Sequence, residues 1–276
     1  MTAARRLAFL FAARAPLRTT LLRASLSTRA EPVANLILLS SLSGLTSASG
    51  AFAAVARDMV APRDGPVCYV PTAKYAPNKL STRKPGDQRR RARADARKKA
   101  KELETLFGRD VNLLELDAPG AAPGAVADAL AGASCAYLDG GNTFYLRAAL
   151  RRAGFDAALD AALDAAPGLV VVGQSAGAIC AGDSIRTAYW KGWDDPGAAD
   201  GVDWDAPAAL DGLALAPGLS VFPHYAPDEH AALVAARSAE LRPSRCVTLA
   251  DDEAYVVRGG AAAMFSVAGG LVDVEE

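Results

Sequence analysis

Five short apolar runs, each followed by a stretch of helical character, restrict this chain to one class of fold. They are Asn35-Leu-Ile-Leu-Leu-Ser40, Val67-Cys-Tyr-Val-Pro71, Val111-Asn-Leu-Leu-Glu-Leu116, Ser134-Cys-Ala-Tyr-Leu-Asp139 and Gly168-Leu-Val-Val-Val-Gly173. Strands with one wet face alternate apolar and polar residues, whereas strands covered on both faces read as continuous apolar runs. Helical stretches near 51–60, through a basic segment to Phe107-Gly108, and over 122–130, 143–153 and 155–165 separate the runs. The pattern predicts an α/β fold with a mainly parallel sheet flanked by helices. After Pro243 the rhythm changes. Val247-Thr-Leu249, Ala254-Tyr-Val-Val-Arg258 and Ala262-Met-Phe-Ser-Val267, separated by Asp/Gly turns, predict a C-terminal antiparallel extension. No linker divides the chain, so residues 33–276 read as a single domain.

Composition narrows the function classes. Apolar residues make up 51% of the 276 and charged residues 22%, the balance of a chain with a full core. The net charge of -1 gives no global attraction to nucleic acid or to a membrane surface. No apolar run is long enough to span a bilayer. The cysteines, at 68, 135, 180 and 246, match neither a metal-ligand spacing nor a disulfide framework.

Charge is unevenly placed. Residues 1–30 hold six arginines, no lysine and no acid, the composition of a mitochondrial or plastid transit segment, so residues 1–32 are expected to be a targeting leader outside the fold. Without such a leader the protein would be cytoplasmic. Between Lys79 and Lys101 eleven Lys or Arg face only Asp87 and Asp95. No aromatic residue is interleaved to stack on bases, so the block reads as a solvated helix face rather than a nucleic-acid site.

Open parallel sheets build sites beyond the carboxyl ends of their strands. Three polar or Gly-rich patches fall there: Pro71-Thr72-Ala73, Asp139-Gly-Gly-Asn-Thr143 and Gly173-Gln-Ser-Ala-Gly177. The last matches G-x-S-x-G between an apolar strand and a helix start, the context of a nucleophile elbow. Small residues at 173, 176 and 177 let the chain pass closely and aim the Ser175 hydroxyl into a cleft. The Ala176 amide is a natural oxyanion donor, and Gly141 can turn a second amide to the same point. A serine needs a base, and the chain has two histidines. His224 ends an apolar segment, Val221-Phe-Pro-His224, that would deliver it into the cleft, whereas His230 begins an amphipathic helix and is expected at the surface. Asp251-Asp252-Glu253, after a late strand, supplies the expected acid, although Asp is also a common turn residue.

Together Gly140-Gly-Asn-Thr-Phe144, Gly173-Gln-Ser-Ala-Gly-Ala178, Ile185-Arg-Thr187 and Phe222-Pro-His-Tyr225 resemble, in order, the motifs of the peptidase E (α-aspartyl dipeptidase) and cyanophycinase family of serine peptidases. The resemblance runs from about Asn35 to Val257. It implies a fold like that of class I glutamine amidotransferases, with serine in place of cysteine, and a peptidase acting on small peptides such as dipeptides. It implies Ser175 as nucleophile, His224 as base, Gly141 and Ala176 as oxyanion hole, and Asp252 as the third member, counted back from Tyr255. Asn142, Thr143, Gln174 and His230 are the expected substrate-binding residues. No metal or organic cofactor is implied. The expected partners are a small peptide substrate and, as the assembly, a homodimer. An esterase, an amidase or a cyanophycinase-like hydrolase would use the same site, and a non-catalytic relative would keep only the fold. In the region of the arginine with which the aspartyl dipeptidase binds its substrate's acidic side chain this sequence has Asp228-Glu-His230, and the first arginine beyond is Arg237, which the resemblance does not equate with it. Specificity for an acidic residue is therefore not carried over.

Overall fold

A computed structural model describes residues 35–46, 50–78, 81–166, 168–206 and 208–274. The expected leader lies outside them. Five strands, β1 (Asn35–Leu39), β2 (Val67–Val70), β3 (Val111–Leu113), β4 (Cys135–Leu138) and β5 (Val170–Gln174), run parallel, with β1 beside β5, then β4, β2 and β3. On the other side of β1, strands β6 (Leu219–Phe222) and β7 (Arg245–Thr248) being elsewhere, come β8 (Glu253–Arg258), β9 (Ala261–Ser266) and β10 (Gly270–Asp273), all antiparallel to their neighbours.

The apolar runs are continuous because each strand feeds two cores. In β1, Leu36 and Leu38 face one layer and Ile37 and Leu39 the other. The first layer holds α4 (Pro123–Ala131), α5 (Thr143–Arg152), α6 (Phe155–Ala165) and the short α7 (Ala176–Ala181). The second holds α1 (Leu42–Thr46), α2 (Ala51–Val60) and α3 (Pro85–Phe107). Each large side chain fully buried here contributes about 1.5–3 kcal/mol.

The basic block lies mostly on α3. Ala96, Ala100, Leu103, Leu106 and Phe107 form its buried stripe, and Gly108, at φ 64°, ends it. Arg89 pairs through both terminal nitrogens with Asp117, and Arg93 with Glu115. Arg90, Arg91, Arg97, Lys98 and Lys101 remain exposed, a solvated face.

One strand assignment needs correction. Val247 belongs not to an antiparallel meander but to β7, which pairs in parallel with β6 in a separate two-stranded sheet. The antiparallel extension is β8 to β10, and β10 carried no apolar run to announce it. The small sheet matters because β6 delivers its last residues toward the ends of β1 and β5.

Candidate active site

The turn after β5 is as tight as its glycines suggested. Ser175 sits at φ 48°, ψ -107°, backbone angles that non-glycine residues rarely adopt. A Cβ on Gly173 would lie 2.7 Å from the Gly177 carbonyl oxygen, and one on Gly177 would lie 2.2 Å from that of Leu138. The Ser175 amide donates to the Leu39 carbonyl at 2.8 Å, which ties the turn to β1. Strain of this kind persists only where surrounding contacts over-determine it.

His224 follows Phe222-Pro223 at the end of β6 and also has positive φ, 53°. Two groups hold its backbone. Its amide donates to Ser40 Oγ at 2.9 Å, while the Ser40 hydroxyl, fully buried, donates to the Leu249 carbonyl at 2.8 Å. Its carbonyl accepts from Lys191 Nζ at 2.6 Å. The ring then reaches the serine: Nε2 lies 2.9 Å from Ser175 Oγ, and Nδ1 lies 2.6 Å from Asp251 Oδ1.

The carboxylate beside the imidazole is thus Asp251, where the sequence pointed to Asp252. Asp252 is exposed, and its backbone carbonyl accepts from the Val267 amide. Glu253 turns inward to cap its own loop, Oε2 accepting from the Ala250 amide at 2.9 Å. The three acids occupy consecutive turn positions that point different ways, so counting from Tyr255 could not separate them.

The loop after β4 closes the other side. Asp139 is fully buried; its Oδ1 accepts from the Gly140 amide at 2.8 Å, and its Oδ2 meets the Tyr69 hydroxyl and, at 3.3 Å, Lys74 Nζ. Gly140 packs on the serine: a Cβ there would lie 3.1 Å from Ser175 Cβ. Gly141, at φ 142°, passes so close to Ala73 that a Cβ would lie 2.4 Å from its carbonyl carbon and oxygen. Among the described residues neither the Gly141 nor the Ala176 amide has an internal acceptor. Gly141→Ala is expected to destabilise the fold by about 1–3 kcal/mol, through an unfavourable φ and a backbone clash. A thermal melt checks this.

Ser175, His224 and Gly141 line a pocket of about 290 Å3. Ile179, Ala188, Phe222, Pro223 and Trp193 supply its apolar wall, and Lys191 and Asp194 its charges. Trp193 is 65% exposed and stands over the His224 ring at 5.9 Å. Lys191 Nζ also donates to the Pro223 carbonyl at 2.9 Å and lies over the rings of Trp193 and Phe222. Partial burial pulls its pKa down to about 8, against the opposing pull of Asp251 and Glu229. Between pH 8 and 10.5 the unfolded chain then binds more protons at this site than the folded one, so its contribution to stability rises with pH. Lys191→Met is expected to flatten that rise, measured as the wild-type-minus-variant difference in denaturant midpoint from pH 7.5 to 10.5.

The four expected substrate-binding residues lie outside the pocket lining, each engaged within the fold. Asn142 caps α5, its Oδ1 accepting from the Tyr145 amide at 2.8 Å, and its Nδ2 donates to the Asp195 carbonyl at 2.9 Å. Thr143 is fully buried and gives its amide to Asp194 Oδ2 at 3.0 Å. Gln174 Oε1 accepts from the Tyr137 hydroxyl at 2.6 Å. His230 is not at the surface: it is 9% exposed, packed against Phe222 and Tyr225, with Nδ1 accepting from the Ala226 amide at 2.9 Å. Lys191 went unnoticed, and Asp194 was set aside as a possible acid between Ser175 and His224, because both lie in an irregular Trp-rich loop without periodicity.

Fold and site together define a serine-type hydrolase on a mainly parallel α/β sheet. The sequence profile of Peptidase family S51 matches residues 36–265, and the chain belongs to that family, so it is a serine peptidase. A comparison with curated protein sequences returns no match. Two crystal structures are similar in fold. One, described as "a Putative Peptidase E Protein from Listeria monocytogenes EGD-e", has a TM-score of 0.57 at 22% identity, over 84% of this chain and 98% of that one. The other, a peptidase from an acI-B1 Actinobacterium, has a TM-score of 0.57 at 16% identity, over 86% of this chain and 88% of that one. Among the described residues no helix is long and apolar enough to cross a membrane, and no cluster of three or more His, Cys, Asp or Glu is placed to hold a metal ion.

Proposed function

We propose that the peptidase hydrolyses small peptides, dipeptides among them, through an acyl-enzyme on Ser175. The observation that carries this reading is the Asp251–His224–Ser175 relay, with contacts of 2.6 and 2.9 Å on opposite sides of one imidazole. With Asp251 accepting from Nδ1–H, Nε2 is the unprotonated nitrogen and takes the serine proton as Oγ attacks the peptide carbonyl. The elbow at Ser175 holds the hydroxyl toward the pocket. The Gly141 and Ala176 amides donate to the oxyanion, each worth about 3 kcal/mol in comparable sites. His224 then protonates the leaving amine, and water, deprotonated by the same nitrogen, releases the acyl group and restores the serine.

Asp251 orients the ring from a solvated position, its side chain 62% exposed. Asp251→Asn is expected to lower kcat by roughly 10²-fold, less than the ~10⁴ lost when a buried triad aspartate is neutralised. Asp252→Asn is expected to stay within about twofold of wild type, as surface changes away from a site usually do. Steady-state kinetics of both variants checks the assignment; a larger loss in Asp252→Asn than in Asp251→Asn would return the role to Asp252. Mass-spectrometric profiling of a peptide library, beside chromogenic esters and amides, tests the substrate class. Peptide cleavage dependent on Ser175 supports the reading, and turnover of esters alone contradicts it.

A further inference from the structure

We propose that the pocket at Ser175 selects an apolar side chain on the residue whose carbonyl the serine attacks, so that short peptides with a leucine-like acyl residue are preferred over those with an acidic one. The inference rests on the peptidase reading of Ser175 and deepens it. In an acyl-enzyme the acyl carbon is bonded to Oγ, and the Cα that carries the side chain lies two bonds from Oγ, about 2.5 Å. The side chain must therefore enter the space that opens at Ser175. Four elements wall that space with apolar groups. Ile179 lies one turn along α7 from the serine, its amide donating to the Ser175 carbonyl at 2.9 Å. Ala188 comes from the helical turn Arg186–Tyr189. Phe222 and Pro223 arrive with the end of β6, directly before His224, and Trp193 comes from the loop between them.

The polar side chains of the lining are committed elsewhere. Thr187, in the Ile185-Arg-Thr187 motif, is 2% exposed, and its hydroxyl donates to the Val221 carbonyl at 2.6 Å. Lys191 could in principle receive an acidic side chain, but its ammonium donates to the Pro223 and His224 carbonyls at 2.9 and 2.6 Å. Two of its three N–H bonds are thereby used. Its charge also rests on aromatic faces, 4.2 Å from the Trp193 centroid and 4.4 Å from that of Phe222. Apart from the imidazole, the remaining ionisable group of the lining is Asp194, a carboxylate. An acidic side chain entering here meets a like charge and an occupied cation. A neutral amide of the same size leaves water without finding a donor or acceptor in return, which is unfavourable. An apolar side chain gives up nothing and buries its surface against five apolar residues. The volume of about 290 Å3, at the low end of ligand sites, suits one such side chain and the peptide unit attached to it.

A dipeptide series with one constant leaving residue tests this: Leu-Ala, Met-Ala, Phe-Ala, Ala-Ala, Asn-Ala, Asp-Ala and Lys-Ala. Leucine, asparagine and aspartate are close in size, so that comparison isolates polarity. In the wild type the best of the Leu, Met and Phe substrates is expected to exceed Ala-Ala in kcat/KM by about tenfold or more, and Asn-Ala and Asp-Ala by about 10²-fold or more. Ala188→Val, which narrows the pocket, should reduce the ratio of that substrate to Ala-Ala by about tenfold. A merely structural effect would lower both substrates in proportion and leave the ratio in place. Highest kcat/KM for Asp-Ala or Lys-Ala, a spread of less than about threefold across the series, or an unchanged ratio in Ala188→Val would overturn the proposal. Should Ala188→Val fail to fold, the wild-type series decides alone. The two readings fail separately. If Ser175-dependent cleavage favours Asp-Ala, the peptidase stands and the apolar assignment falls. If the wild type cleaves no peptide, the peptidase reading falls, and calorimetry on Ser175→Ala judges the pocket. Leu-Ala binding about tenfold or more tighter than Asp-Ala then supports the assignment, and equal affinities or no saturation by either overturn it.

Discussion

Ser175→Ala should lower kcat for peptide hydrolysis by about 10⁶-fold, the loss found when a serine peptidase is stripped of its nucleophile. The pocket offers no substitute. Cys180, five residues on, is fully buried, and burial pushes its pKa up to about 12, so it supplies no thiolate. The Thr187 hydroxyl is committed to the Val221 carbonyl at 2.6 Å. Stability should change little, within about 0.5 kcal/mol, because among the described residues the Oγ hydrogen bond is to the His224 ring alone and the alanine methyl keeps the Cβ packing. Steady-state hydrolysis and a thermal melt, run on one preparation, separate the two effects.

Removing the imidazole should be as damaging. His224→Asn is expected to lower kcat by about 10⁶-fold, and combining it with Ser175→Ala should add almost nothing, since nucleophile and base act as one unit. Asparagine is the chosen replacement because it tolerates the left-handed backbone at φ 53° better than most residues. The Ser40 and Lys191 hydrogen bonds act on backbone atoms of residue 224 and survive the change. His230 cannot take over: its Nδ1 is occupied by the Ala226 amide and its ring is wedged beside Phe222. Additive losses in the double variant would mean that the two residues act in separate steps.

These expectations follow from features of unequal visibility in the sequence. The parallel sheet was legible because burial on both faces leaves continuous apolar runs, and β1, β2, β4 and β5 fall within a residue or two of those runs. β3 is shorter than its run, since its edge position leaves Asn112 and Leu113 exposed. The serine turn was legible through its glycines, whose missing side chains answer real contacts with Gly177 and Leu138. The β6–β7 pairing was hidden because it joins strands over twenty residues apart, with α8 (Pro227–Arg237) between them, and local pattern carries no record of such a partner. His230 was misplaced because its buried side comes from rings of β6 and the following turn, not from its own weakly amphipathic helix.

The choice among Asp251, Asp252 and Glu253 depended on side-chain direction in a turn, which one residue of register reverses. Asn142, Thr143 and Gln174 sit beside the site, yet hydrogen bonds within the fold hold them, and no sequence rule separates a residue that lines a pocket from one that braces it. Lys191 and Asp194 came from a loop whose only visible signal was its concentration of Trp and Asp.

Acid-quench mass spectrometry during turnover of a cleaved peptide addresses most directly whether the Ser175 hydroxyl, activated by His224, attacks the substrate. The account predicts an adduct equal in mass to the acyl half of the peptide, mapped to the tryptic fragment containing Ser175 and lost in His224→Asn. Sustained hydrolysis with no adduct on that fragment, and undiminished in Ser175→Ala, would contradict it.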